Sequence, residues 1–303
     1  MAATTGTITT RTIDVETVEG GSVELCLAEA GAGGRPLLVV HGFTGAKEDF
    51  VEHLPALAAE GWHAVAPDLR GHGASAAPEG EASYSLDVLA ADLMGLADAL
   101  GWSSLTLLGH SMGGMVVQLA VLSHPRRVDA LILVDTCHGP VEIDRSLAMA
   151  SVEVVRRSGT PALAVLLASL PPDANPLDTA ASRQVRQARP SPLGGDDPAE
   201  SWAAFGEAKL HAASPAMYAA MVPAMLDQPD RLEALGRLRL PTLVVVGEQD
   251  GAFFEPCRRM ASTIPGAHLE VVRGAGHNPQ HERPQEWQAA VLAFLSGLTG
   301  PPT

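Results

Sequence analysis

The stretch Leu105-Thr106-Leu107-Leu108-Gly109-His110-Ser111-Met112-Gly113-Gly114 decides how the rest of the chain is read. Leu105 to Leu108 is a short apolar run with the character of a buried strand, and Met112 to Ser123 continues as a helix of buried character. The serine between them stands at a sharp strand-to-helix turn. Such a turn lifts a side chain clear of its sheet at the cost of strained backbone angles. Two positions to either side, a side chain would collide with the turn, which accounts for glycine at 109 and 113. A glycine-rich turn that merely packs closely would read the same way. What Ser111 means therefore depends on the flanking chain.

Outward from this turn, short apolar runs alternate with helical stretches. On the N-terminal side, Ile8 to Val18 and Ser22 to Ala28 alternate as strands do, with Gly20-Gly21 as a hairpin turn. Pro36 to Val40, His63 to Ala66 and Leu131 to Val134 read as further strands, and Leu243 to Val246 and Leu269 to Val272 resume the theme. Helices are expected over Lys47 to Ala59, Leu86 to Leu100 and Gln285 to Leu295. This alternation predicts an α/β fold with a mostly parallel central sheet covered by helices on both faces. Between Asp135 and Thr242 the strand signal stops, for an interval too long to be an ordinary connection. A helix over Ile143 to Arg157 should stop at Gly159 and restart at Thr160-Pro161. Leu170 to Pro198 is rich in Pro, Gly and Asp and reads as loop. Asp197-Pro198-Ala199-Glu200 has capping spacing and should open a helix carrying Trp202 and Phe205. A last helix should start at Pro215 with Ser214 as its cap, and Pro223 should end or kink it. The expected organisation is a core over residues 1–137 and 237–303, with residues 138–236 inserted as a helical lid.

Three further motifs end strands. His41-Gly42-Phe43-Thr44-Gly45 follows one of them, and acyl transfer needs two backbone N–H donors where negative charge develops on the substrate oxygen. The N–H groups of Phe43 and Met112 are the candidates. Val246-Gly247-Glu248-Gln249-Asp250 and Gly274-Ala275-Gly276-His277-Asn278-Pro279 close two late strands. A serine hydroxyl is a poor nucleophile until a positioned imidazole takes its proton, and a carboxylate fixes that imidazole's tautomer. Ser111, Asp250 and His277 supply these groups in that chain order, each in a loop after a strand, where sites form on such sheets.

On these residues the chain resembles the α/β-hydrolase superfamily over essentially its whole length. It is similar to lid-bearing bacterial esterases, enol-lactonases and cofactor-free haloperoxidases or perhydrolases. Ser111-Met112-Gly113-Gly114 and Pro67-Asp68-Leu69-Arg70-Gly71-His72-Gly73 match those groups, and the resemblance implies that Asp68 to Ser75 is a structural turn beside the site. It implies a small-molecule substrate and no cofactor. It also separates this chain from the haloalkane dehalogenases and epoxide hydrolases of the fold, which carry Asp where Ser111 stands. Lipases of the His-Gly-Gly-Gly type would have more glycine after His41.

Other residues invite competing readings. His277 and His281 have a metal-ligand spacing, but Pro279 between them argues against a helical pair, and no metal is expected. His110 reads as structural or pocket-lining. Cys257 reads as an apolar filler. Asp135, at the end of the strand before the long interval, is a rival to Asp250, because some members of this fold draw their acid there. Met217 and Met221 share a helix face with Tyr218 beside them, and Trp202 and Phe205 share another. These stripes either pack the lid onto the core or wall an apolar substrate pocket.

Composition narrows the function further. The 303 residues carry a net charge of −15 with 46% hydrophobic residues, which allows a large core and excludes a disordered chain. Neither nucleic acid nor an anionic membrane suits that charge. Three scattered cysteines fit no disulfide framework, and the N-terminus lacks the apolar segment of a secretory signal, so a cytoplasmic location is expected. The leading expectation is hydrolysis of an ester, lactone or thioester through an acyl-enzyme. Perhydrolysis, carbon–carbon bond hydrolysis or cyclisation on the same residues, or a receptor on the same scaffold, remain open, as does the oligomeric state.

Overall fold

The computed structural model describes residues 6–17, 20–169 and 180–298. Its first half alternates as the sequence predicts: β1 (Thr9–Glu16), β2 (Ser22–Ala30), β3 (Arg35–Val40), α1 (Leu54–Ala59), β4 (Trp62–Pro67), α2 (Leu86–Ala99), β5 (Leu105–His110), α3 (Met112–Ser123) and β6 (Val128–Val134). The helix expected from Lys47 is shorter. Two 3-10 turns, Lys47–Asp49 and Val51–His53, precede α1. Pro55 explains this, since its missing N–H is tolerated only in a first turn.

Between β6 and the next strand lie α4 (Arg145–Ser169), α5 (Ala180–Ala188), α6 (Pro198–Ala212), α7 (Pro215–Asp227) and α8 (Leu232–Leu235). α4 is broken at Gly159, which takes φ 76° and ψ 173°, and helix resumes beyond it. Asp197 caps α6 by accepting from the N–H groups of Ala199 and Glu200, and Ser214 caps α7 by accepting from Met217. Two expectations need adjustment here. The loop expected over Leu170 to Pro198 contains α5, whose run of Ala, Arg, Gln and Val has no breaker of its own and was hidden by Pro- and Gly-rich flanks. Of the rest, residues 170–179 lie outside the described residues, and residues 189–197 form turns and bends without helix, as expected. Of the end or kink expected at Pro223, the end does not occur, and α7 continues to Asp227. Val222 and Leu226 on either side of it are buried in one apolar cluster with Val152 and Val155 of α4, and that packing outweighs the lost hydrogen bond.

The chain closes with β7 (Thr242–Gly247), α9 (Phe254–Thr263), β8 (His268–Val272), α10 (Pro279–Glu282) and α11 (Pro284–Gly297). The described strands make one eight-stranded sheet in the order β1-β2-β4-β3-β5-β6-β7-β8. β1 with β2 and β2 with β4 are antiparallel, and the other pairs are parallel. Alternate residues of β3 and β4 explain the two buried faces. Leu38, Val40 and Val65 join one core cluster with α2 and α3, whereas Leu37, Val39, Ala64 and Ala66 join another with α1 and α11.

This order places the site. β3 and β5 are neighbours, with Val40 opposite Gly109, so the loops that leave their C-terminal ends start side by side. β6, β7 and β8 follow in order, bringing the ends that carry Asp135, Asp250 and His277 toward the same edge. The sheet reverses direction of progression at β3, where crevices form in such folds.

Candidate active site

Ser111 sits between β5 and α3 with φ 53° and ψ −121°, a strained conformation for a residue with a side chain. Its N–H donates to the Val134 carbonyl at 2.9 Å, and its own carbonyl accepts from Gly114 N–H at 2.9 Å and Thr136 Oγ1 at 2.7 Å. The strained turn is thus tied to β6 on both sides. A methyl on Gly109 would run into the backbone of Gly113, as expected of the turn. Gly113 is glycine for a further reason, because a methyl there would strike the carbonyls of Val40 and His41 in the neighbouring strand.

His277 Nδ1 lies 2.8 Å from Asp250 Oδ2, and its Nε2 lies 3.0 Å from Ser111 Oγ. A carboxylate only accepts, so Nδ1 carries the proton and Nε2 is free to accept from the serine hydroxyl. All three side chains are buried, and Phe253 stacks on the imidazole at 4.8 Å. Burial would raise the Asp250 carboxyl, but the imidazole of His277 outweighs it and holds Asp250 below the ordinary carboxylate range. An imidazole held in this way can take the serine proton, and the serine oxygen can then attack an electrophilic carbon.

The loop carrying His277 is pinned at several points. Gln249 N–H donates to the Ala275 carbonyl at 2.7 Å, and Gly276 N–H donates to Glu282 Oε2. His110 Nε2 donates to the His277 carbonyl at 2.7 Å, and the two rings lie 5.0 Å apart. Burial, then the neighbouring His277, push His110 down to about 3, so it is a neutral strut. Of its two expected roles, the structural one fits this placement.

Asp135 is fully buried beside Asp250. Its Oδ1 accepts from Gly247 N–H at 2.9 Å, and Asp250, not Asp135, reaches the imidazole. Asp135, Asp250 and His277 present atoms within 4.8 Å of one another that could serve as metal ligands. His281 faces away from this group, toward Asp49 at 3.3 Å.

The loop after β3 meets the elbow closely, since a methyl on Gly42 would stand 3.0 Å from Ser111 Cβ. His41 orders this loop. Leu69 N–H donates to its Nε2 at 3.0 Å, so Nδ1 is protonated and donates to the Gly42 carbonyl at 2.8 Å. Phe43 stands next along, and Met112 is the first residue of α3, whose N–H has no partner within the helix. The Asp68 to Ser75 turn packs behind. Asp68 accepts from the Lys47 and Ala74 N–H groups and from Lys47 Nζ at 2.8 Å.

The expected pocket residues fall in two places. Met217 and Met221 of α7 are buried in the same core cluster as Met112 and Met115. Between them Tyr218 turns to Phe43, with ring centroids 4.9 Å apart, and its hydroxyl bonds Ser151 at 2.9 Å. Trp202 and Phe205 of α6 instead pack on the ring of His281, at 5.1 and 6.0 Å. Beside them Lys209 reaches Asp49 at 2.5 Å. Sequence reasoning gave no role to Phe253, Thr136, Glu282 or Lys209. Only their offsets of a few residues from Asp250, Asp135, His277 and Phe205 could have drawn attention to them.

A family model described as alpha/beta hydrolase fold matches residues 35–284. The chain is similar to epoxide hydrolase A of Mycobacterium tuberculosis, at 30% identity over 323 residues that cover 93% of this chain and 97% of that protein. It is similar in structure to a thermophilic esterase from Thermogutta terrifontis, with a TM-score of 0.78 and 28% identity over 96% of this chain and 100% of that chain. An enol-lactonase from Burkholderia xenovorans has a TM-score of 0.76 at 23% identity, covering 94% of this chain and 100% of that chain, a likeness of fold alone.

Proposed function

Since the chain belongs to the α/β-hydrolase fold family, we propose that it is a serine hydrolase that cleaves a small to medium apolar ester, lactone or thioester through an acyl-enzyme. One observation carries this reading: the hydrogen-bonded chain from Asp250 through His277 to Ser111. Ser111 Oγ attacks the acyl carbon while His277 Nε2 takes its proton. The tetrahedral oxyanion is received by the N–H groups of Phe43 and Met112. His277 then gives its proton to the leaving group, and a water activated by the same Nε2 releases the acid.

One relative is an epoxide hydrolase, but Ser111 stands where epoxide hydrolases of this fold carry Asp. A serine at that place forms an acyl-enzyme from a carbonyl substrate, which favours the ester-like classes and accords with the esterase neighbour. In this reading residues 138–236 act as a lid over a cytoplasmic enzyme acting on small molecules, without cofactor, nucleic-acid or membrane partner. The contact of Tyr218 on α7 with Phe43 supports the lid, because it joins the helical interval to the oxyanion loop.

The test is covalent labelling by an activated phosphonate, followed by turnover of a panel of esters, lactones, thioesters, diketones and epoxides. Labelling at Ser111 with ester-class turnover is expected, and Ser111→Ala and His277→Ala should each lower kcat by roughly four to six orders of magnitude. Retained turnover in Ser111→Ala would sink the reading. Labelling with turnover of diketones alone would keep the nucleophile and replace the substrate class.

A further inference from the structure

Asp135 is a second buried carboxyl against the acid of the site, and two carboxylates cannot share such a place as anions. Its Oδ1 accepts from Gly247 N–H at 2.9 Å. Its Oδ2 is buried, and among the described residues no donor meets it. The groups around it come from every neighbouring strand end and helix. Asp250 and His277 lie on the loops after β7 and β8, and Cys257 on α9 donates its thiol to the Thr136 carbonyl at 3.2 Å. Glu282 on α10 and His110 at the end of β5 complete the set, with Glu282 already accepting from Ser182 and Gly276 and His110 neutral. No cation among these faces Asp135. An ionised Oδ2 would thus be a bare buried anion beside another, whereas a protonated one has an acceptor at hand.

We propose that Asp135 is a protonated carboxylic acid that donates its Oδ2 hydrogen to the Asp250 carboxylate, making it a positioning residue for the acid that orients His277. This rests on the serine-hydrolase reading above. Its physical content is a division of labour between two acids of one sheet edge. Asp250 stays charged because it accepts from both His277 and Asp135, and Asp135 stays neutral because burial and the Asp250 charge both raise its carboxyl far above the ordinary range. Asp135 also joins β7 to the arrangement through Gly247, whose N–H it accepts. One neutral side chain therefore fixes the strand end that carries Asp250 and one oxygen of Asp250 itself.

The proposal is tested with Asp135→Asn and Asp135→Leu, alongside Asp250→Asn, in the full-length enzyme. The readouts are kcat/KM against pH and phosphonate labelling of Ser111. Leucine fills the space but cannot donate, so kcat/KM should fall roughly 10- to 100-fold, the scale of one hydrogen bond to a charged group. Asparagine is neutral, can accept from Gly247 and can donate to Asp250. It should restore most of that loss, with the rise of kcat/KM with pH at the wild-type position. A charged Asp135 within 4.8 Å of the imidazole gives a different result. Its removal in Asp135→Asn would shift that rise to lower pH by about a unit or more, and this shift overturns the proposal. If the leucine variant fails to fold, the asparagine profile alone decides. Asp250→Asn separates this failure from that of the underlying reading. It should lower turnover about 10⁴-fold, and an Asp250→Asn enzyme that still turns over rejects the triad, whatever Asp135 does.

Discussion

Gly247→Ala tests whether the site depends on where one loop lies. Gly247 ends β7, three residues before Asp250, and its backbone needs no positive φ, so alanine adds no torsional strain there. The added methyl would stand 2.8 Å from the Ala275 carbonyl oxygen and closer still to that of Gly276. To reach ordinary van der Waals separation, the loop or the strand end must yield by about 1 Å. Gly276 precedes His277 directly, and His277 Nε2 has only its 3.0 Å contact with Ser111 Oγ through which to act. A displacement of about 1 Å at reacting groups costs on the order of 100-fold in rate, so kcat/KM should fall by about that factor. Overpacking should cost about 1–3 kcal/mol of stability, and urea unfolding measures this separately from activity. Gly251→Ala is the control on the same loop, where a methyl meets nothing within 4 Å. Phosphonate labelling rates and ester kinetics on both variants give the answer. A Gly247→Ala enzyme within threefold of wild type would refute the idea that this contact sets the imidazole's position.

Three further outcomes are expected. His72 is buried and neutral, pushed down to about 3 by burial and then by His41. Its folded value lies below its unfolded one, so the stability it contributes is complete above about pH 6.5 and is lost as pH falls toward 3. His72→Asn, which keeps a donor near Nδ1, should flatten the denaturant midpoint against pH across that window, and an unchanged slope refutes the assignment. In Asp49, burial raises the carboxyl, but Lys209 and His281 outweigh it and hold it well below the ordinary range. Lys209→Met should cost roughly 2–3 kcal/mol, less than for a fully buried pair because Lys209 is partly exposed, and a double-mutant cycle with Asp49→Asn measures the coupling. Met221→Ala, beside the elbow's own cluster, should change the rank order of kcat/KM across an acyl chain-length series more than Trp202→Ala, whose ring lies on His281. Equal effects would reduce both to packing.

Much of the sheet was legible because buried parallel strands are short apolar runs with glycine at or just past their ends, and β3, β5 and β7 all follow that rule. α3 starts and stops where the sequence predicts, since strain at Ser111 fixes its first residue. The helical interval was less legible. There the outcome depends on contacts between segments distant in sequence, as with α7 running through Pro223 because Val222 and Leu226 are buried against α4. Local composition hid α5 for the same reason. At the site, residue types and their order after strands pointed to Ser111, Asp250 and His277. They favoured Asp250 over Asp135 on chain order alone, since both end strands at the same edge. That choice is made by strand register and by the turn at Asp135, with φ 41°, which aims one carboxyl at Gly247 N–H.

The order of strands in the sheet also sets a sequence of events in time. β6 pairs with β7 at Leu131 and Thr242, across the whole helical interval, and Ser111 and His277 are 166 residues apart. Loop closure over such a span costs only slowly more than over a short one, so the finished enzyme bears little penalty for it. A chain growing on the ribosome at about 5–20 residues per second is different. For roughly 10–30 seconds the elbow and the β5 edge can exist without β7, β8 or the imidazole. In that period β6 presents an open, apolar parallel edge, and the strained serine has no base. On the proposed mechanism, catalytic competence arrives with the last strands to be made, and until then the nascent chain is most exposed to mispairing.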